Sequence, residues 1–433
     1  MLSSRLPKDL SPSPFFAELE SAKADVLAEC AGINALPFID MTVSSPVKAG
    51  LPVDLDDAVD EGRKAFGNWN PDASGWKSVR EAVVEYYRER GGNFTAGQII
   101  LTASTSEAYS VLFKTFCDPG DVILTPMPGY PLLDTLAQLE HLECAPYFLK
   151  IRRENARRRA TDERRESAKF RFVLDSDSLL AAPEHAKILL LVSPHNPTGH
   201  CISREEWNEA VRFCEENNMI LVVDEVFGDY AFTDKVSRTW QYVFAPCHPE
   251  RNEVESKDLW DAGGGDFINL PEDGPKCPIF WLNGLSKAVG SPQLKLGWMA
   301  FYAPRENFEE IRAALEFVED AYLSVSAPAQ ALGASLLKHS EAYESKVLDR
   351  LQQNWQTLRE AFPSKYCPEV LGGWYAVVRL GEDDEELTLR LLREKHVLVQ
   401  PGFFFDFDED GWVVMSLLQD PAIFKEAIER IIK

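Results

Sequence analysis

The stretch that decides the fold is WLNGLSKAVGSPQLKLGW, residues 281–298. The apolar segment 278–282 is typical of a buried strand, and it leads into a small polar loop that presents Lys287. Burying an ammonium group is costly unless the group is paired or neutralised. A lysine whose pKa is lowered by such a site can form a Schiff base with a carbonyl compound. Lys287 is therefore a candidate for covalent chemistry, and the alternative is a loop-capping lysine that reaches water.

Composition excludes several classes of protein. The 433 residues carry a net charge of −24, which argues against a nucleic-acid or acidic-membrane partner. The eight cysteines form no C-x-x-C pair and are typical of reduced core residues in a cytoplasmic protein, so we expect no metal site. The N-terminal residues lack a signal-peptide core, and no apolar run approaches the roughly 18 residues of a membrane helix.

Apolar strands alternate with helices over much of the chain. The predicted strands are 98–102, 122–125, 186–192 and 220–223, and the predicted helices between them are 106–117, 131–139 and 204–218. Strands that are apolar on both faces and alternate with helices indicate an α/β fold with a mostly parallel sheet covered by helices. In such sheets ligands bind beyond the carboxyl ends of the strands.

The pattern predicts two domains. Residues 1–50 would form an N-terminal arm and part of a smaller α+β domain, residues 51–304 the large domain, and residues 305–433 the rest of the smaller domain. Two segments interrupt the large domain, at 150–171 and at 244–277. The first is strongly basic, which is compatible with an anion or nucleic-acid patch. A solvated surface insertion is favoured instead, because no aromatic residues are interleaved between Lys150 and Lys169 and the whole protein is acidic. The second is rich in proline, glycine and acidic residues and is typical of a long surface loop.

Polar clusters follow these strands. Small hydroxyl residues at 102–106 open a helix, whose free N–H groups would suit a phosphate. An aromatic ring, Tyr130, follows the second strand, and Asn196 follows the third within Ser-Pro-His-Asn-Pro-Thr-Gly. Asp224 ends the fourth strand, and Lys287 ends the next one. These side chains should meet at one edge of the sheet.

Together these motifs resemble the fold-type-I pyridoxal-phosphate enzymes of the class I/II aminotransferase family. Asn-Pro-Thr-Gly at 196–199, Asp-Glu at 224–225 and Ser-Lys at 286–287 stand in the order and spacing of that family. The resemblance extends from about Leu10 to the last helix. It implies a fold with a large cofactor-binding domain and a smaller domain built from the two chain ends.

The resemblance also implies a role for each motif. Lys287 would hold pyridoxal 5'-phosphate as a Schiff base, and Asp224 would pair with the pyridine nitrogen. Asn196 would donate to the phenolic oxygen of the ring, and Tyr130 would stack on the ring. The phosphate would be held by Ser104, Thr105 and Ser106 with help from Ser286 and Lys295.

Five positions depart from the family pattern. Phe227 replaces a tyrosine, Lys295 an arginine, Gly284 a phosphate-binding serine and Trp69 a tyrosine that usually reaches the neighbouring subunit. Val414 stands where the family has the arginine that binds the substrate carboxylate. Arg379 and Lys48 are the candidates to supply that charge, and Trp69 is a further candidate at the substrate site.

We therefore expect an aminotransferase that moves an amino group between an amino acid and a 2-oxo acid. An α,β- or γ-lyase, or a carbocycle-forming synthase related to plant ethylene-pathway enzymes (ACC-synthase-like), is the main alternative, because Val414 and Phe227 are unusual. A non-catalytic cofactor-binding protein is a third possibility. The family resemblance also implies a homodimer.

Overall fold

The computed structural model describes residues 3–7, 9–31, 36–67, 70–154, 169–233, 236–244, 271 and 274–433. Trp69 and the greater part of the two predicted insertions, 155–168 and 245–270, lie outside the described residues. Among the described residues no helix combines the length and apolar character needed to cross a membrane.

The large unit is organised on one eight-stranded sheet in the order β2-β9-β8-β7-β6-β3-β4-β5. Its strands are β2 Ile99–Thr102, β3 Val122–Met127, β4 Glu143–Glu154, β5 Lys169–Leu174, β6 Ala186–Val192, β7 Ile220–Asp224, β8 Ile279–Gly284 and β9 Gly297–Tyr302. The central strands β8, β7, β6, β3 and β4 run parallel, whereas β2, β9 and β5 are antiparallel to their neighbours. The mostly parallel sheet is therefore confirmed, with antiparallel strands at both ends.

Helices cover both faces of this sheet. They are α2 Asp56–Ala65, α3 Lys77–Glu89, α4 Thr105–Phe116, α5 Leu132–Leu139, α6 Ser176–Leu179, α7 Arg204–Glu216, α8 Gln241–Phe244, α9 Leu285–Ala288, α10 Phe308–Tyr322 and α11 Ala327–Leu337. Alternate residues of β7 face different cores, since Val222 belongs to one buried cluster and Leu221 and Val223 belong to the other. A sheet buried on both faces explains why the strands are apolar throughout.

The smaller unit contains the antiparallel sheet β10-β13-β12, whose strands are β10 Tyr375–Arg379, β12 Gln400–Pro401 and β13 Trp412–Ser416. Helices α12 Ser340–Ala361, α13 Asp384–Lys395 and α14 Pro421–Ile432 accompany it. The N-terminal arm joins this unit: α1 Pro14–Cys30 packs on α13, and β1 Ile39–Asp40 pairs with β11 Val397–Leu398. Both chain ends thus contribute to the smaller unit.

Two details differ from the sequence prediction. Helices α10 and α11 pack against α4 and against α2 and α3, respectively, so residues 308–337 associate with the large unit although they follow the predicted boundary at 305. Residues 150–154 and 169–171 are strand residues of β4 and β5, which pair with each other.

Candidate active site

The polar clusters of the sequence lie along one edge of the large sheet. Val192 is paired with Asp224, and Asp224 is paired with Leu282. On the other side of β8, Gly297 is paired both with Gly284 and with Thr102. The register therefore places the ends of β6, β7, β8 and β2 in one row, with Lys287 one helical turn beyond β8.

The amine of Lys287 lies between two aromatic rings. Its Nζ is 4.6 Å from the centre of the Trp374 ring and 5.4 Å from that of Phe227. Lys287 as a whole is partly exposed, but protein atoms enclose its amine. This burial lowers the pKa of Lys287 to about 8, although the nearby charge of Asp224 acts to raise it. Lys287 is therefore held within the site, and an appreciable fraction of its amine is neutral near neutral pH.

The carboxylate of Asp224 is held by two donors. Tyr109 donates from its hydroxyl to Oδ2 at 2.7 Å, and the backbone N–H of Val226 donates to Oδ1 at 3.0 Å. Burial raises the pKa of Asp224 above its ordinary value, and these hydrogen bonds together with Lys287 limit the rise. Tyr109 was not foreseen from the sequence; its position on α4, five residues after Ser104, was the available signal.

Tyr230 and two glycines fix the aromatic wall beside the lysine. The Tyr230 hydroxyl donates to the backbone carbonyl of Lys287 at 2.6 Å, while its own carbonyl accepts from the N–H of Gly373 at 2.9 Å. A Cβ at Gly372 would lie only 2.7 Å from that same carbonyl, so a side chain is excluded there. The segment before Trp374 is thus bound to the loop after Asp224. The Gly-Gly pair ahead of Trp374 marked this close approach in the sequence.

The first turn of α4 lies next to β9. Ser104 caps the helix, its Oγ accepting from the N–H of Glu107, and its backbone carbonyl accepts from the Thr102 hydroxyl at 2.9 Å. A Cβ at Gly297 would be 3.2 Å from the carbonyl carbon of Ser104, so these backbones touch. Thr105 and Ser106 follow in the first turn and are partly exposed. The helix start, with its free N–H groups, therefore adjoins the end of β8.

The lysine loop departs from the family pattern for a steric reason. A Cβ at Gly284 would lie 2.9 Å from the Cα of Gly297, so a serine at this position does not fit without backbone movement. Ser286 is partly exposed on α9. Lys295 is exposed and has a left-handed backbone with φ +52°.

A buried ionic cluster centred on Asp229 adjoins the site at the end of β8. The carboxylate of Asp229 accepts from the Tyr86 hydroxyl at 2.7 Å and pairs with Arg90 at 3.0 Å and Arg238 at 2.9 Å. Burial acts to raise the pKa of Asp229, but the two guanidinium groups outweigh it and hold that pKa below its ordinary value. Asn283 donates to the Tyr86 hydroxyl at 3.2 Å, which ties the cluster to the end of β8.

Tyr130 lies at the more open side of the site. Its side chain is 46% exposed, and the preceding Gly129 is bound through its N–H to the carbonyl of Phe405 at 2.8 Å. Tyr130 also lines a cavity of about 260 Å³ between the two units, together with Met127 and Asp406. The loop after β3 thus connects the large unit to the 400–406 segment of the smaller unit.

The structure does not bring Arg379 to the lysine. Arg379 forms an ion pair with Glu409 and lies over the ring of Trp412, 5.9 Å from its centre. It is five residues beyond Trp374 along an extended chain, a separation of roughly 16 Å. This placement does not support the prediction that Arg379 supplies the missing positive charge. Lys48 is exposed on the loop before α2.

Comparison with known proteins identifies the family. The model described as "Aminotransferase class I and II" matches residues 48–431. A tyrosine aminotransferase of Caenorhabditis elegans is 22% identical over 348 residues, which cover 78% of this chain and 65% of that protein. The glutamate-pyruvate aminotransferase AlaA of Haemophilus influenzae is 24% identical over 373 residues, or 83% of this chain and 81% of that protein. An aspartate aminotransferase structure from Thermotoga maritima has a TM-score of 0.74 at 18% identity, covering 100% of this chain and 99% of that one.

The chain belongs to the class I and II aminotransferase family, which depends on pyridoxal 5'-phosphate. The family resemblance, the α/β fold and the assignment as a transaminase are thereby confirmed. The comparisons do not favour the lyase or carbocycle-forming alternative.

The residues at the sheet edge fit this cofactor. Asp224 offers a buried carboxylate, Lys287 an amine with a lowered pKa, and the start of α4 a set of free N–H groups. Within the described part of the chain, the Oδ1 atom of Asn196 and the Nε1 atom of Trp374 are buried without a hydrogen-bond partner. Buried polar atoms are rarely left unpaired, so both are available to a bound molecule.

Proposed function

We propose that this protein transfers an amino group between an amino acid and a 2-oxo acid at the site formed by Lys287, Asp224 and Asn196. The observation that carries the proposal is the placement of the Lys287 amine, enclosed by Trp374 and Phe227 and sharing one sheet edge with Asp224. A lysine with a lowered pKa at the end of a buried strand is suited to Schiff-base formation and to proton transfer.

Each residue has a chemical task in this proposal. When bound, pyridoxal phosphate supplies an electron sink for negative charge on the substrate carbon. Lys287 would bind the cofactor and, once displaced by the substrate amine, would take a proton at Nζ and return it. Asp224 would hold a proton on the pyridine nitrogen, and Tyr109 keeps that carboxylate oriented by its hydrogen bond.

The remaining site residues would orient the cofactor. Ser104, Thr105 and Ser106 would hold the phosphate at the start of α4, with Ser286 and Lys295 on the facing loop. Asn196 would bind the phenolic oxygen through its amide, and Tyr130 would cover the ring. Lys295 is a point charge and lacks the bidentate geometry of arginine, so its hold on a phosphate would be weaker.

The test of the lysine is covalent trapping. The wild-type protein is mixed with pyridoxal phosphate and treated with borohydride, which should fix the cofactor on Lys287. The mass of the peptide that contains Lys287 then reports the attached cofactor. We expect Lys287→Ala to give no fixed cofactor, while Lys338→Ala, which removes an exposed lysine, should behave as wild type. A reducible adduct of unchanged yield in Lys287→Ala would contradict the assignment.

The test of the reaction is stoichiometry. Incubation with pairs of amino acids and 2-oxo acids should give one aminated acceptor for each donor consumed. Release of ammonia without any need for an acceptor would contradict transfer and favour a lyase.

We further propose that the protein acts as a homodimer in the cytoplasm. Three large side chains at the end of α10 are exposed: Phe317 by 81%, Tyr322 by 46% and Leu323 by 70%. A second copy of the chain would cover such an apolar patch. The seven cysteines in the described ranges are free thiols, as expected in a reducing compartment. Sedimentation equilibrium should give twice the chain mass, and Phe317→Asp should shift the protein toward the monomer.

A further inference from the structure

Gln400 lies on the face of the smaller sheet that faces the large unit. It is paired with Val414, and Val414 is paired with Val377, so the three side chains form one row on the same face. Tyr375 shares that face because it is two residues before Val377 on β10. The direction of the Gln400 side chain therefore depends on which way this face of the sheet is turned.

Two aromatic contacts fix that direction. At one end of the face the Tyr375 ring lies 6.0 Å from Phe227, which itself adjoins the Lys287 amine. At the other end the Trp412 ring lies 6.0 Å from Phe172 of β5. On β13, Val414 lies between Trp412 and Ser416, and Ser416 is paired with Tyr375. The row that contains Gln400 therefore lies between the two aromatic contacts. The side chain of Gln400 is therefore turned toward the space between the units, on the same side as Lys287.

The amide of Gln400 has an unsatisfied end. Its Oε1 atom is buried and, among the residues that the structure describes, has no hydrogen-bond partner. Its cross-strand neighbour Val414 is fully buried and apolar, so it offers no partner either. Rotation of the amide by 180° exchanges the oxygen for an NH₂ group, so the same end can donate. An unpaired buried amide is costly unless a bound molecule completes it.

We propose that Gln400 is a substrate-binding residue that donates from its amide to the carboxylate of the amino acid or 2-oxo acid. The proposal rests on the proposed function, because a substrate whose amine reaches Lys287 brings its carboxylate into the surrounding space. Arg379 is unsuited to that task because it pairs with Glu409. The indole N–H of Trp374, which has no partner among the described residues, is a second neutral donor beside the lysine. Neutral donors hold a carboxylate less strongly than a guanidinium does, so the substrate is selected with little contribution from charge.

The experiment compares acids with amines. Alanine, glutamate, aspartate and tyrosine are each paired with the amine that lacks the α-carboxyl group: ethylamine, 4-aminobutyrate, β-alanine and tyramine. The rate of disappearance of the lysine-bound cofactor band is measured for wild type, Gln400→Met and Gln400→Glu. For the best acid we expect a roughly tenfold loss of kcat/KM in Gln400→Met, mainly through KM, because one hydrogen bond is lost. In Gln400→Glu we expect a loss of about 100-fold from like-charge repulsion. The rate with the matching amine should stay within about twofold in both variants.

Binding without turnover gives a second readout. The carboxylic acid that matches the best substrate, with hydrogen in place of the amino group, should bind about tenfold more weakly to Gln400→Met by calorimetry. Gln353→Leu, which changes an exposed glutamine of α12, serves as the control and should leave both readouts unchanged. Unchanged acid-to-amine ratios in both Gln400 variants would overturn the proposal. Absence of any half-reaction in the wild type, or of cofactor trapping on Lys287, would instead refute the proposed function itself.

Discussion

The two walls of the candidate active site depart from the family pattern at different kinds of position. The wall built by the large sheet keeps Asn196, Asp224 and Lys287 in one row of strand ends. In the wall built by the smaller sheet, Gln400 is paired with Val414, and our proposal places the substrate carboxylate beside Gln400. In the proposed function, the residues of the cofactor chemistry and those that bind the substrate carboxylate therefore belong to separate structural units, so one set could change while the other persists.

The strongest test of the wall built by the large sheet is the carboxylate of Asp224. In Asp224→Asn the pyridine nitrogen loses its negatively charged partner, and we expect kcat to fall by about 1,000-fold, as for other displaced catalytic charges. The steady-state rate with the best substrate pair checks this. Asp177→Asn, an exposed acid on α6, is the control and should keep full activity. A rate within tenfold of wild type would remove Asp224 from its proposed role.

The next test uses the family residue that this chain has lost. Gly284→Ser places a Cβ about 2.9 Å from the Cα of Gly297, so the strands must separate or strain. We expect the free energy of unfolding to fall by about 1–3 kcal/mol, as for other overpacked sites. Urea titration followed by circular dichroism measures the change. Gly120→Ala, at an open position with φ +94°, would lose stability only through its backbone conformation and separates the two effects. An unchanged midpoint in Gly284→Ser would contradict the close contact.

The enclosed amine should make cofactor capture dependent on pH. The neutral amine attacks the aldehyde, so with the pKa of Lys287 near 8 the capture rate should rise about tenfold per unit below pH 8 and level off above it. Stopped-flow absorbance of the cofactor-free protein mixed with pyridoxal phosphate measures the capture rate. The control is Nα-acetyl-lysine, whose amine is solvated; its rate of reaction with pyridoxal phosphate should keep rising beyond pH 9. A profile for the protein that matches that of free lysine would contradict the enclosure.

The same shift has a consequence for stability. The pKa of Lys287 is lower in the folded chain than in the unfolded one, so the unfolded chain binds more protons between pH 8 and 10.5. The cofactor-free protein should therefore gain stability from this group as pH rises through that window. Urea midpoints of the wild type and Lys287→Met across pH 7–10 should diverge accordingly.

The smallest effect concerns a residue behind the wall built by the large sheet. Tyr109→Phe removes the hydroxyl that donates to Asp224 and leaves the ring in place. Loss of one such hydrogen bond, worth about 1 kcal/mol, should lower kcat roughly fivefold. The pH profile should also shift, because the hydrogen bond lowers the pKa of Asp224 and its loss raises that pKa. If Tyr109→Phe lowered kcat as much as Asp224→Asn does, Tyr109 would do more than orient the carboxylate.

The sequence predicted the wall built by the large sheet better than the wall built by the smaller sheet. Strand ends marked by Asn196, Asp224 and Lys287 were recognisable because parallel strands deliver their loops to a common edge. Tyr109, Tyr230 and Trp374 were missed because their partners are 115, 57 and 87 residues away along the chain, where no local pattern links them. Arg379 was chosen by residue type, and only the register with Trp412 reveals that it lies at the wrong end of its strand. The boundary at 305 followed a change of pattern, whereas packing keeps α10 and α11 with the large unit.

The backbone bond between Tyr230 and Gly373 bears on how molecules reach the lysine. It crosses from one unit to the other, and the Tyr230 hydroxyl fastens the same residue to the carbonyl of Lys287. Any motion that preserves these two hydrogen bonds moves Trp374 and Lys287 together as one rigid body. Substrates and products would then have to enter and leave on another side of the site, such as the side of the half-exposed Tyr130 ring.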